Sequence, residues 1–309
     1  MSAKVVVVGS CMIDFTCFSP RLPKSGETII GSNFEIKYGG KGANQCVAAA
    51  KLGASTAMVA SLGSDTYAQE YLKIFKKENI DASHVQIQEN QHSGIAHITV
   101  ADSGENSIVI VLGSNASLSR KHVDSAADVI KGAAVLLCQF ETPLETTRHA
   151  LKLHKGHGLS IVNGAPAALN VDSEILRLCD IFCVNESEAE VMTGVQHLGL
   201  SNIQEAMDEL LDKGCNTVIL TLGESGAAYA SQENRAYTLI PTTPVLPVDT
   251  TGAGDAFLGA LAYFKAYQPG LSMDECIRRA GVVATESVLK AGTHASFPTR
   301  SSLPAHLFV

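Results

Sequence analysis

Tryptophan is absent from this 309-residue sequence, and aromatic residues of every kind make up only 6%. Aliphatic side chains must therefore supply the core, and at 46% hydrophobic residues there is ample material for a large one. Charge is sparse as well, at 17%, and no Lys/Arg cluster stands out against a net charge of −8. That balance argues against nucleic acid or an anionic membrane as partner. An anionic substrate would need locally arranged donors, because the overall field repels it weakly. No apolar run reaches membrane length, and MSAKVVVVGS is too short and too early-charged for a signal peptide. The eight cysteines include no CxxC pair, and Cys179 and Cys183 lack the second ligand pair that zinc would need. Most lie in apolar runs such as VLLCQF and DIFCVN, the pattern of buried, reduced thiols in the cytoplasm, with the nucleus left open. The first strand leads to GSCMID rather than GxGxxG, and no GxxxxGK[ST] loop follows, which disfavours a nicotinamide dehydrogenase and a Walker-type enzyme.

Short continuous apolar runs recur along the chain. They are Val5 to Val8, TAMVASLG (56–63), AAVLLCQF (133–140), LSIVNGA (159–165), DIFCVN (180–185) and TVILTLG (217–223). Between them lie helical patterns such as GANQCVAAAKLG, YAQEYLKIFKKENI and IQEAMDELLDKG. This alternation predicts a Rossmann-like α/β fold, a mostly parallel sheet flanked by helices. Two stretches break it. Residues 94–112 alternate around a central turn, and residues 14–38 read as short strands joined by Pro and Gly turns. Both predict a small antiparallel sheet projecting as a lid from a single domain of residues 1–309.

Three stretches carry chemistry. In VDTTGAGDAF (248–257) two glycines and an alanine stand directly before a carboxylate that opens an apolar helix. Gly252, Ala253 and Gly254 leave amides unobstructed at a helix N-terminus, where partial positive charge favours an anion. Asp255 would repel a resident anion but suits a group in flight: donors stabilise the spreading charge while the carboxylate deprotonates the attacking hydroxyl. Taken alone, GAGD reads as a helix start with a stabilising acid, worth roughly 0.3–1 kcal/mol. In YGGKGANQ (38–45), Gly40, Lys41, Gly42, Ala43 and Asn44 offer close approach and polar heads for a hydroxyl-rich ligand. Alone, such glycines can simply permit a tight turn. Asn185 and Glu188, three apart after the strand DIFCV, suit water-mediated Mg²⁺, although NESEAE by itself is a common acidic helix start. His149, His154 and His157 read as a solvated face, Glu186 and Glu190 as water-facing, His294 as structural, and Asp65 as part of a helix-starting turn.

GGKGAN and DTTGAGDAF, in this order and at this separation, resemble the two signatures of the ribokinase branch of the phosphofructokinase-B-type carbohydrate kinases. The similarity runs nearly end to end, from VVVVGSCMID to AGTHASFP. It implies ATP-dependent phosphorylation of D-ribose at its 5-hydroxyl, with Asp255 as general base and Gly252, Ala253 and Gly254 as an anion hole for the γ-phosphoryl. Sugar contacts would come from the position of Met12, from Asp14, from Gly40 to Asn44 and from Glu141. Asn185 and Glu188 match a motif associated with Mg²⁺ and phosphate, and Thr221, Leu222, Gly223, Glu224, Ser225 and Gly226 match the loop beside the nucleotide. A K⁺ ion would lie behind the hole, between Asp249 and Thr251 on one side and Ser287, Lys290, Gly292 and Ser296 on the other, mostly through carbonyls. The lid would close over the sugar and pair across a homodimer.

Three positions depart from the family pattern. Met12 stands where bacterial members carry an Asn that contacts sugar. Gly164 in NGAP replaces a frequent proline and is expected to loosen its loop. Gly281 stands where relatives carry His or Asn near adenine. Asp14, Glu141 and the complete GGKGAN favour a small polyhydroxylated sugar over the alternatives, a fructokinase or adenosine kinase. A non-catalytic sugar or nucleotide sensor on the same fold could dispense with Asp255 and the glycines, which are intact here.

Overall fold

The computed structural model describes residues 4–169 and 171–309; Met1, Ser2 and Ala3, part of the stretch read against a signal peptide, lie outside the described residues, as does Asn170. The main sheet contains β1 (Val5–Val8), β4 (Thr56–Gly63), β5 (Asp81–Gln88), β8 (Val135–Cys138) and β9 (Leu159–Asn163). It continues through β10 (Ile181–Asn185), β11 (Thr217–Thr221), β12 (Ala227–Ser231) and β13 (Thr238–Ile240). Their spatial order is β13-β12-β11-β10-β9-β8-β1-β4-β5, and every pair from β11 to β5 is parallel. The expected mostly parallel α/β sheet is therefore present. The four valines of β1 are fully buried because helices cover both faces, which is why that strand reads as a continuous run rather than an alternation. Chain direction across the sheet reverses beside β1, with β4 on one side and β8 on the other, and such a switch point opens a crevice at the strand ends.

The second sheet contains β2 (Met12–Ser19), β3 (Asn33–Gly39), β6 (Gly94–Ala101) and β7 (Asn106–Val111), in the order β3-β2-β6-β7. Pairing within each hairpin is antiparallel as expected, while the join between the hairpins, β2 to β6, is parallel. Sequence alternation reports on each hairpin but not on how two hairpins meet. Phe34, Ile36 and the run Ile108 to Leu112 are exposed along this sheet.

Five helices matter for the site. They are α1 (Lys41–Lys51), α2 (Thr66–Lys77), α3 (Glu186–Thr193), α4 (Ala253–Tyr267) and α5 (Met273–Ser287). α4 is buried almost throughout, as its apolar sequence requires. It crosses α1 at Gly259, where a Cβ would lie 2.6 Å from both Ala48 Cβ and Gln45 O, so only glycine allows this approach.

Strands β5, β12 and β13 went unread because DASHVQIQ is polar and half exposed, AAYAS is built from small residues and TLI is only three residues long. Asp65 does start α2, accepting from Ala68 N at 2.9 Å. Two surface readings are corrected. His154 is fully buried, with Nδ1 2.8 Å from Ile130 O, because its helix turns that face to the core. Glu190 accepts from Leu198 N at 2.7 Å and pins a loop rather than only meeting water. Among the described residues no helix is long and apolar enough to cross a membrane, and all eight cysteines are unpaired.

Candidate active site

Gly252 precedes α4 in the left-handed conformation (φ 80°), a geometry that glycine adopts without strain. Ala253 and Gly254 form the first turn, and a Cβ added at Gly254 would meet nothing within 4 Å, so the approach to these amides is open. Asp255 is on that same turn, but its carboxylate does not cap the helix. Its Oδ2 accepts from Asn44 Nδ2 at 2.8 Å and its Oδ1 from Gln45 Nε2 at 3.0 Å, across the α1–α4 crossing. The helix-cap reading of GAGD is thereby replaced by a long-range clamp. Burial raises the Asp255 pKa above the ordinary carboxylate range, while Lys41, Asn44 and Gln45 pull against it. A carboxylate made more basic by burial, yet kept accessible at a cavity wall, suits proton abstraction.

Lys41 organises the charges around it. Burial alone would lower its pKa, but Asp255, Glu141 and Glu188 together hold it above the usual lysine value. Glu141 accepts from Lys41 N at 2.8 Å and from Ser10 Oγ, which commits one of its oxygens to structure. Asn44 Oδ1 is buried without a partner among the described residues, an acceptor available to a ligand hydroxyl. Asp14 makes no side-chain hydrogen bond among the described residues; burial, then Glu141 and Asp255, push its pKa from 3.8 to about 6, against the pull of Lys37. Gly40 lies against Met12, where a Cβ would be 2.7 Å from Met12 N. Gly42 and Ala43 do different work from that expected. A Cβ at 42 would lie 2.5 Å from Ser10 N, and fully buried Ala43 donates its amide to Ser10 O at 2.9 Å. Both hold α1 to the end of β1 rather than facing a ligand.

On the other side of Asp255 opens a cavity of about 580 Å³, ample for a nucleotide-sized ligand. Lys41, Asn185, Glu188, Thr221, Gly223, Glu224, Gly226 and residues 252–255 line it. Leu222 and Ser225 do not: Leu222 packs in the core. Asn185 and Glu188 close a reciprocal capping box at the start of α3, Asn185 Oδ1 accepting from Glu188 N at 2.8 Å and Glu188 Oε2 from Asn185 N at 2.9 Å.

Behind the start of α4, Asp249 ties two segments together. Its Oδ1 accepts from Thr251 N at 2.9 Å and its Oδ2 from Gly292 N at 2.8 Å. Burial would raise its pKa, but these bonds outweigh burial and keep it ionised. Ser287 and Ser296 are buried and donate to Ala284 O and Thr293 O, at 2.7 and 2.9 Å, and the Lys290 side chain is exposed. Among the described residues no group of three or more His, Cys, Asp or Glu could hold a metal.

The model of the pfkB family carbohydrate kinases matches residues 2–300. The chain belongs to that family. As a sequence, this kinase is 43% identical to the ribokinase of Mus musculus over 99% of its own length and 95% of the mouse protein. It is 36% identical to the deoxyribokinase of Salmonella typhimurium, covering 96% of this chain and 95% of that one. Its fold matches the Arabidopsis thaliana ribokinase complexed with ribose and ATP, with a TM-score of 0.88 at 30% identity, covering 98% of this chain and 97% of that chain.

The kinase's departures from the family pattern have local explanations. Met12 is 2% exposed and its Sδ accepts from Asn115 Nδ2 at 3.2 Å, so a thioether fills the position. At Gly164 a Cβ would lie 2.5 Å from Phe182 Cζ and 2.6 Å from Val184 Cγ1, so these side chains already occupy the space that a proline ring would start from. Gly281 lines the cavity, and a Cβ there would meet only Thr242 Oγ1, at 3.9 Å. Sequence reasoning missed Gln45, although it directly follows Asn44 and a polar residue deep in an alanine-rich helix is itself a signal. It also missed the wall formed by Thr242 to Val245 and by Arg278 and Thr285, whose residue types carry no motif.

The raised Asp14 pKa has a consequence for stability. Between 3.8 and about 6 the folded protein retains a proton that the unfolded chain has released, so stability falls as pH rises through that window. Asp14→Asn should therefore stabilise the ligand-free protein by about 1–3 kcal/mol at neutral pH and change little below about pH 4. Urea unfolding at both pH values reads this, and an equal effect at the two would contradict it.

Proposed function

We propose that this kinase transfers the γ-phosphoryl group of ATP to the 5-hydroxyl of D-ribose, giving ribose 5-phosphate and ADP. The observation that carries the reading is Asp255, clamped by Asn44 and Gln45 between the open amides of residues 252–254 and the side holding Asp14. The carboxylate takes the hydroxyl proton as the sugar oxygen bonds to phosphorus. The bond from phosphorus to the bridging oxygen of ADP breaks, and its electron pair leaves with ADP. The amides and Lys41 stabilise charge spreading over the phosphoryl oxygens. Asp14 and the free Asn44 Oδ1 meet sugar hydroxyls. Similarity to the mouse and Arabidopsis ribokinases supports the choice of ribose and ATP.

A second reading, 2-deoxyribose, is favoured by Met12, a buried thioether bonded to Asn115 that offers no polar group to a sugar hydroxyl, and by similarity to a deoxyribokinase. Mg²⁺ fits the site through water: the capping box spends Asn185 Oδ1 and Glu188 Oε2, leaving one Glu188 oxygen at the cavity wall. Such an ion would offset phosphate charge. K⁺ fits the oxygen-rich segments at 249–251 and 287–296, where ionised Asp249 and main-chain carbonyls suit a large monovalent ion. It would steady the turn into α4. The second sheet serves as the lid, and its exposed Phe34, Ile36 and Ile108 to Leu112 pair with a second copy in a homodimer. The unpaired cysteines suit the reducing cytoplasm.

Purified enzyme with ATP and Mg²⁺ should phosphorylate ribose, and Asp255→Asn should lower turnover by about 10²–10⁴ while nucleotide still binds. Turnover of 2-deoxyribose in preference to ribose would select the second reading, and near-parental turnover by the variant would remove Asp255 from the chemistry. Asp249→Ala should blunt activation by K⁺ more than it changes the KM for sugar; an unchanged K⁺ response refutes that site. Sedimentation equilibrium should return twice the 32.5 kDa chain mass, and a monomer across micromolar concentrations would refute pairing through the lid.

A further inference from the structure

The helix that clamps the base also reaches the anion hole from its other end. Asn44 and Gln45, near the start of α1, hold Asp255. Lys51, the last residue of the same helix, donates from Nζ to His294 O and, at 3.2 Å, to Phe297 O. Among the described residues neither carbonyl has another hydrogen-bond donor. Both belong to a tight turn in which Ser296 N and Phe297 N close on Thr293 O at 3.0 and 3.2 Å. Gly252 rests on that turn. A Cβ at 252 would lie 3.1 Å from Thr293 Cγ2 and 3.2 Å from Phe297 Cε1 and Cζ.

We propose that Lys51 is a positioning residue for the anion hole: by bridging the carbonyls of His294 and Phe297 it fixes the 293–297 turn on which Gly252 and the first amides of α4 are seated. Lys51 does not line the cavity and its ammonium is spent on these two carbonyls, so it acts only through the turn. A bland alternative is that Lys51 merely complements the dipole at the end of α1. The two differ in what they predict. A dipole partner affects stability alone, whereas a support of the hole affects the transition state more than the ground state.

This rests on the reading of residues 252–254 as donors to the transferred phosphoryl group. Lys51→Met, Lys51→Gln and Lys51→Arg would be compared with the parent for kcat, for both KM values, and for binding of ADP alone and of ADP with aluminium fluoride and ribose. Lys51→Met should lower kcat on the order of 10- to 10²-fold and weaken the fluoride complex in parallel. KM values and ADP affinity should stay within about threefold of the parent. Lys51→Arg, which can still donate to both carbonyls, should recover most of the loss. If Lys51→Met does not fold, Lys51→Gln carries the same comparison. Parental kcat and fluoride-complex affinity in the Met or Gln variant, whatever happens to its melting temperature, overturn the proposal. Absence of ribose phosphorylation in the parent would instead count against the proposed function.

Discussion

The pair of amide side chains holding the Asp255 carboxylate is the constraint around which the remaining structure is arranged. An ionised acid buried at the tip of an apolar helix is costly, and here the cost is met by Asn44, Gln45 and the nearby Lys41 ammonium rather than by solvent. Those donors come from a helix more than two hundred positions away in sequence, so α1 and α4 must pack closely and in fixed register. Gly259 permits that contact, and Gly42 against Ser10 permits the same helix to seat on the end of β1. Small residues at crossings thus decide where a charged group can be kept.

The same arrangement separates the site into two compartments. On one side lies a cavity walled by α3, the 221–226 loop and the start of α4; outside that lining are Asp14 of β2, which feels the charges of Glu141 and Asp255, Asn44, which holds Asp255, and Glu141, which accepts from Lys41 N. Four acids, Asp14, Glu141, Glu188 and Asp255, have raised pKa values because burial disfavours their charge, and Lys41 lies among three of them. Such a cluster, poorly solvated until substrates arrive, is what a site built to move a proton and a phosphoryl group would hold.

Much of this was legible in the sequence because the relevant signals are local. Uninterrupted valines announced a doubly covered strand, and glycines before a carboxylate announced an open helix tip. What sequence did not show was partnership at a distance. Nothing in GAGD states that its acid is held by Asn44 and Gln45, nor in NESE that Asn185 and Glu188 spend themselves largely on each other. Leu222 and Ala43 sit inside motifs yet face the core, because a motif constrains the backbone path and not every side chain along it. The parallel join of β2 to β6 likewise depends on docking two hairpins, which no alternation pattern encodes.

The most direct measurement of the central claim is a crystal structure of the enzyme with ribose, ADP and aluminium fluoride. The fluoride should lie about 2.7–3.1 Å from the amides of residues 252–254, with the 5-hydroxyl of the sugar hydrogen-bonded to the Asp255 carboxylate. A complex in which the fluoride lies away from those amides, or in which Asp255 remains on Asn44 and Gln45 without touching the sugar, would contradict the account.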